Sequence, residues 1–318
     1  MKLSQADFTE IRQWMVRHAR PLELSLWKFH LEQGSAQDVL NILSFYQNKD
    51  GGFGHALEPD CWNPHSSPYA TSFAIKILKN IGFLDRSHPI YTGIIRYLES
   101  GDSFENGQWL FSIPSNDAYP RAPWMTYNPD VNQTENIGLS AELAAFILEF
   151  CDKQSALYQT ALQIARRTLD ALLEAENHGA MGIGGYLILE PHLDALSLNE
   201  ADKQTVLQKL RQLVRDSIEP NTEKWQFYVP RPSEFIHSPA SPDYWGNEAL
   251  VEKELDYLIQ QRPQGDVWGI PWSWFEHSER YAKEFALSET WWKAYRAINI
   301  VMFLGTFGRL EEPQTEKR

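Results

Sequence analysis

The sequence predicts an all-α protein in which helical hairpins close into an α/α toroid, a double ring of helices, and three observations carry that expectation. Helix starts are marked again and again by capping residues, the helices fall into a one-sided and an all-round apolar kind, and glycine/aromatic turns recur along the chain. Periodicity alone leaves a multilayer helical bundle or an open solenoid as the competing arrangements.

The caps are the most local signal. Ser4 with Asp7, Ser35 with Asp38 and Asn199 with Asp202 each set an oxygen acceptor at the N-cap and an acid three residues on, while Ser67-Pro68 and Ser87-His88-Pro89 put proline in a first helical turn. Gly34, Gly82 and Gly101 fall where left-handed C-caps would stop helices. Segments 155–176 and 199–217 carry one apolar stripe; in the second, Val206, Leu210, Leu213 and Val214 lie opposite Lys203, Lys209, Arg211 and Arg215, as expected of outer helices wet on one side. Segments 68–81, 132–150 and 288–307 are apolar nearly all round, with Ile137, Leu139, Leu143, Ala145, Phe146 and Ile147 as the example, and read as an inner ring.

The aromatic turns are Phe53 after Gly51-Gly52, Trp109 after Asn106-Gly107-Gln108, Tyr186 after Gly184-Gly185, Trp225 after Asn221-Thr222-Glu223-Lys224, and Trp268 in Gly265-Asp266-Val267-Trp268-Gly269. Glycine lets the backbone turn tightly while the ring staples the hairpin to its neighbour. A short β-ribbon near 184–189 is the one departure from helix the sequence allows. Residues 1–310 are expected to form a single domain and 311–318 a charged tail.

Composition bounds the function. A net charge of −13 repels phosphate backbones and anionic lipid, which argues against nucleic acid and membrane surfaces as partners, and no apolar run reaches the ~18 residues of a membrane span. Cys61 and Cys151 are too few for a disulfide framework, and Met1–Asp7 lacks the apolar stretch of a secretion signal, so a cytoplasmic location is expected. The expected partner is a small molecule; cofactor and oligomeric state stay unassigned.

Following the helix from Val39, the run Gln47-Asn48-Lys49-Asp50-Gly51-Gly52-Phe53-Gly54 resembles the repeat signature of the terpenoid cyclase and protein prenyltransferase toroid family: glutamine, two residues, then Asp-Gly-Gly-aromatic-Gly. Gln260-Gln261 followed by Gly265–Gly269 is a looser copy. The resemblance implies a central aromatic cavity that binds isoprenoid chains. The family's catalytic clusters, Asp-x-Asp-Asp and Asp-Asp-x-x-Asp, are absent, and Asp60-Cys61 with His65 has the residue types of its zinc site without their spread along the chain, so no metal is assigned.

Chemistry is expected in four loops that combine aromatics with acids. Glu58, Asp60, Asp130 and Glu276 are the candidate catalytic residues, since carboxylates can serve as general acid and base, in glycosidases at separations of ~6.5–9.5 Å. His55, Trp62, Trp124, Tyr127, Glu135, His237, Asp243, Trp245, Trp272 and Trp274 are the candidate ligand-binding residues, because rings offer flat surfaces to sugars, isoprenoids or cations. Plain structural roles compete: Asp130 and Glu135 suit a first helical turn, and many of the 12 Trp can simply staple repeats. Three functions stay open: a terpenoid-cyclase-like binder of a hydrophobic molecule, a carbohydrate hydrolase or lyase with an α/α-barrel cleft, and a non-catalytic scaffold. Neither a nucleophile elbow nor a phosphate-cradling loop is present, so nucleotide-dependent chemistry is disfavoured.

Overall fold

The computed structural model describes residues 1–174 and 179–312. Most of the expected charged tail, from 313 on, lies outside the described residues, as does the helix end expected at Glu176. Among the described residues there are twelve α-helices: α1 Gln5–His18, α2 Pro21–Leu31, α3 Ala36–Leu43, α4 Pro68–Asn80, α5 Pro89–Glu99, α6 Pro129–Phe150, α7 Ala156–Glu174, α8 Gly179–Leu189, α9 Glu200–Ser217, α10 Glu248–Gln260, α11 Glu276–Arg280 and α12 Ala282–Thr306. The fold is therefore all-α in character, and among the described residues one two-residue ribbon pairs β1, Phe104–Glu105, with β2, Gln108–Trp109. No described helix is long and apolar enough to cross a membrane.

The capping signals act as expected. Ser4 accepts from Asp7 N–H at 3.0 Å, Ser35 from Asp38 N–H at 3.1 Å, Ser67 from Ala70 N–H at 3.1 Å, and Asn199 from Asp202 N–H at 2.9 Å. Before α5 the cap is His88, whose Nδ1 accepts from Ile90 N–H, and Ser87 instead bonds back to Asp85. Gly82 and Gly101 adopt the left-handed conformation, with φ of 63° and 70°. At α2 it is Gln33, φ 62°, that turns the chain, and Gly34 is needed for space: a Cβ there would stand 2.7 Å from the Lys28 backbone carbon.

Two expectations are corrected. The turn placed at Gly184-Gly185-Tyr186, and the ribbon considered for 184–189, are interior to α8. Gly185 serves helix packing, since a Cβ on it would lie 2.6 Å from the Gly138 Cα of α6. The ribbon forms at Phe104–Trp109, where Asn106 and Gly107, with φ of 51° and 77°, supply the two left-handed residues of a tight hairpin.

The chain folds as two compact units. Unit 2 spans Leu43–Ser217 and Trp274–Phe285. Along its central helix, α6, the buried polar residues Asn132, Asn136 and Ser140 recur every fourth residue and so share one stripe. All three are buried and pin an extended segment. Trp109 N–H donates to Ser140 Oγ (2.9 Å), Phe111 N–H to Asn136 Oδ1 (2.7 Å) and Ser112 N–H to Asn132 Oδ1 (2.9 Å), and Asn132 Nδ2 returns a bond to Ser112 C=O (2.8 Å). The polar stripe thus satisfies backbone groups that burial would otherwise orphan.

The Gln47–Gly54 turn also lies in unit 2, and most of its signature has a structural task. Gln47 Nε2 donates to Gly51 C=O and to Ile90 C=O of α5, Asp50 Oδ1 accepts from Gly52 N–H and Ser66 Oγ, and Phe53, fully buried, takes Thr71 Oγ1 as acceptor for its N–H. Gly51 has φ 100°, and a Cβ on it would fall 2.0 Å from Gly93 C=O, so only glycine lets the turn meet α5.

Unit 1 comprises Met1–Ile42, Ile218–Ser273 and Ala286–Arg318. It joins the two ends of the described chain: Leu3 N–H donates to Arg309 C=O and Glu311 N–H to Leu3 C=O. The looser signature copy is closed differently, Trp268 Nε1 donating to Leu258 C=O of α10 at 2.8 Å, and Trp225 uses the same device on Glu219 C=O. A buried ion pair, Arg20 with Glu23, sits at the start of α2 with the guanidinium 4.7 Å from the Trp291 ring centre.

Candidate functional site

In unit 2 the loop after Gly54 buries the two neighbouring candidate acids. Glu58 Oε2 accepts Asp60 N–H at 3.0 Å, and Asp60 Oδ1 accepts the indole N–H of the fully buried Trp274 at 2.8 Å, so two predicted site residues far apart in sequence do meet. The loop is tied to the segment before α6 by Trp62 N–H to Pro120 C=O and Ala122 N–H to Asp60 C=O. Beside it a narrow recess of about 290 Å³, open mouth included, is lined by Glu58, Cys61, Asn63, Asn116 and Met125 among others. Desolvation pushes the Cys61 thiol up to about 12, which keeps it protonated and unreactive at neutral pH.

Arg121 in the same unit is fully engaged. Its Nη1 reaches the carbonyls of Asn116, Asp117 and Tyr119, its Nη2 pairs with Asp117 at 2.9 Å and its Nε donates to Thr126 Oγ1. His277 Nδ1 faces Arg121 C=O at 2.8 Å, a geometry that requires the proton on Nδ1. Asp60, Cys61 and His65 do not assemble as a metal site: among the described residues no three such ligands group together, and His65 Nε2 bonds Tyr119 Oη instead.

The remaining candidates of unit 2 lie nearer the surface. Asp130 is exposed in the first turn of α6, its N–H donating to Asn128 Oδ1; Glu135 is half-buried two turns on, and Glu276 is exposed at the start of α11. His55 is exposed with Nε2 at 2.9 Å from Asn48 Oδ1. Trp62 and Tyr127 are half-buried, and half-buried Trp124 meets Phe275 edge-on at 6.5 Å.

Unit 1 holds a denser arrangement. Trp272 is half-buried and packs edge-on against Trp292 of α12 at 5.5 Å and against Tyr228 at 5.9 Å. The guanidinium of Arg296, one helical turn beyond Trp292, stands 6.0 Å from the Trp272 ring centre. Arg231, Glu234 and Glu254 lie close enough to Arg296 to act on its charge. Glu254 is fully buried and bonded to Ser233 N–H (2.7 Å) and Ser233 Oγ (2.6 Å), with Arg231 Nε 3.5 Å away; desolvation nonetheless raises its carboxyl.

Glu234 differs from Glu254 in being accessible. Protein nevertheless crowds it enough for desolvation, aided by the negative Glu254, to raise its carboxyl against the pull of Arg231 and Arg296. An acid raised by desolvation while it keeps accessible surface is one of the features that functional sites share. Desolvation, with Arg231 as a like charge, lowers Arg296 to about 10, still cationic at neutral pH. His237 is accessible and lowered by desolvation, Asp243 is buried and accepts Asn247 Nδ2 at its carbonyl, and Trp245 is 74% exposed beside Tyr244.

Sequence reasoning thus named Trp272 but not its charged partners. A signal for Glu254 was present: Val251, Glu254, Leu255 and Leu258 repeat as one buried helical face, on which an acid is out of place. No protein-family model, no curated protein and no solved structure matches the chain.

Proposed function

We propose that the chain binds a small molecule with an apolar, unsaturated or ring-bearing body on the aromatic wall formed by Trp272, Trp292 and Tyr228, and that its helical hairpins close into a toroid of the terpenoid-cyclase type. The observation that carries the binding reading is the set of three ionisable groups shifted by desolvation, Glu234, Glu254 and Arg296, the last of them facing Trp272. Such a setting penalises charge and a fold gains little from it. A ligand that uses aromatic faces and a few placed polar groups gives it a purpose. The all-α hairpin content and the fully used Gln47–Gly54 turn support the toroidal relation. No catalytic step is part of the proposal.

The test is a titration of intrinsic fluorescence with farnesol and with 2-naphthol, alongside native mass spectrometry of protein purified without detergent. Saturable quenching, weakened about fivefold by Trp272→Ala, is expected, since one ring contact contributes on the order of 1 kcal/mol. Unchanged fluorescence with both probes together with a bare-chain mass would sink the reading. Carbohydrate cleavage draws some support from the raised, accessible Glu234, but it needs a second reachable carboxylate and Glu254 is sealed.

A further inference from the structure

The arginines of this protein are treated unequally. Arg121 spends all three guanidinium nitrogens on carbonyls, a hydroxyl and a carboxylate, and Arg20 is held by Glu23 through Nε. Arg231 is set against Glu254. Arg296, half-buried, is held differently. Its Nε is buried and finds no hydrogen-bond partner among the described residues, and the indole N–H of Trp272, beneath the guanidinium, is also buried without one. Arg296 is half-buried, and its terminal nitrogens make no hydrogen bond or ion pair among the described residues, which leaves them for a ligand.

Both orphans are donors. A buried N–H left unmade is costly, and a missing partner for two of them is an acceptor, not another donor. Charge points the same way. Glu254 is already committed to Ser233 and Arg231, and the raised carboxyl of Glu234 spends more of its time neutral than an ordinary carboxylate, so the charge on Arg296 is incompletely matched. One cation and one neutral N–H suit a monoanion with two oxygens. A phosphate dianion would want more donors and more charge.

Resting on the binding reading above, we propose that Arg296 anchors the carboxylate of a small organic acid whose flat or unsaturated body lies on Trp272, Trp292 and Tyr228. The guanidinium takes the carboxylate through its open nitrogens, and a small rotation of the half-buried Trp272 brings the indole N–H within hydrogen-bond reach, about 2.9 Å, of the second oxygen.

The experiment is calorimetric titration of the full chain with 2-naphthoate, with its neutral isostere 2-naphthamide, and with inorganic phosphate. The wild-type chain should bind naphthoate at least about tenfold more tightly than naphthamide, and only naphthoate should weaken as sodium chloride rises. In Arg296→Gln the naphthoate preference should vanish while naphthamide affinity holds; Arg296→Lys should keep a reduced preference. The salt dependence and the wild-type preference need no variant, so a misfolded substitution leaves the idea falsifiable. Equal affinity for the two naphthalene probes, or a preference that survives Arg296→Gln in a folded protein, would overturn the carboxylate assignment and leave the binding reading intact. Phosphate binding more tightly than naphthoate would overturn it too. Binding of neither naphthalene probe would overturn the carboxylate assignment, and the binding reading would then stand or fall with farnesol and 2-naphthol.

Discussion

The polar stripe of α6 allows its energetic role to be worked out residue by residue. Asn132→Ala removes the acceptor of Ser112 N–H and Ser112 Oγ and the donor to Ser112 C=O, all buried. At about 1 kcal/mol per lost bond the cost is about 3 kcal/mol, and desolvated backbone groups left alone push it no lower. Asn136→Ala and Ser140→Ala each remove one acceptor, from Phe111 N–H and Trp109 N–H, and should cost about 1–2 kcal/mol. Gln133→Ala, on the exposed side of the same helix, is the control and should change little. Urea denaturation followed by far-ultraviolet circular dichroism gives the comparison, and thermal melts should rank the variants alike, with Asn132→Ala lowest by about 6–12 °C. If Asn132→Ala fell within about 0.5 kcal/mol of Gln133→Ala, the claim that the stripe carries the packing of segment 109–112 would be wrong.

Three further outcomes are expected. Gly51→Ala places a side chain at φ 100° and 2.0 Å from Gly93 C=O, so it should destabilise by more than about 2 kcal/mol, whereas Gly265→Ala, where nothing stands within 4 Å, should cost clearly less; denaturant midpoints compare them. Trp274→Phe leaves a smaller aromatic ring and deletes the donor to Asp60, and should lower stability by about 1.5–3 kcal/mol, with a double-mutant cycle against Asp60→Ala showing coupling; additive effects would argue against the bond. Glu234 has a folded pKa above its unfolded value, so the stability tied to its protonated form is complete below the unfolded pKa and is lost as pH rises through the folded one. Glu234→Gln should therefore gain on the wild type as pH rises above the ordinary glutamate range in matched urea titrations, and a difference that stays constant with pH would contradict the desolvated placement.

Much of the fold was legible because local chemistry and tertiary packing agree in it. Ser4, Ser35, Ser67 and Asn199 cap helices in the structure for the reason they suggested caps in the sequence, namely a short side-chain acceptor facing free N–H groups. The misreading at Gly184-Gly185-Tyr186 has one cause: glycine punctuates turns, but it also allows helices to approach, and Gly185 against Gly138 is the second case. Only the partner decides, and the partner is 47 residues away in sequence. The site was less legible for a similar reason. Trp272 advertised itself in an aromatic loop, whereas Arg296 and Glu254 sit in helices where charge ordinarily faces water, and their setting emerges only when Ser233, Arg231 and Trp272 are brought to them.

Where α6 is apolar nearly all round, from Leu139 to Leu148, one face serves almost as well as the next and little besides Glu142 stops the helix turning about its own long axis. The asparagines and serine of α6 supply the missing angular index. Any rotation by a residue's worth of arc, about 100°, would break all the bonds to segment 109–112 at once. The helix can consequently stay oily for the sake of the core and still have only one azimuth, which leaves the rest of its surface free to vary in shape without losing its bearing.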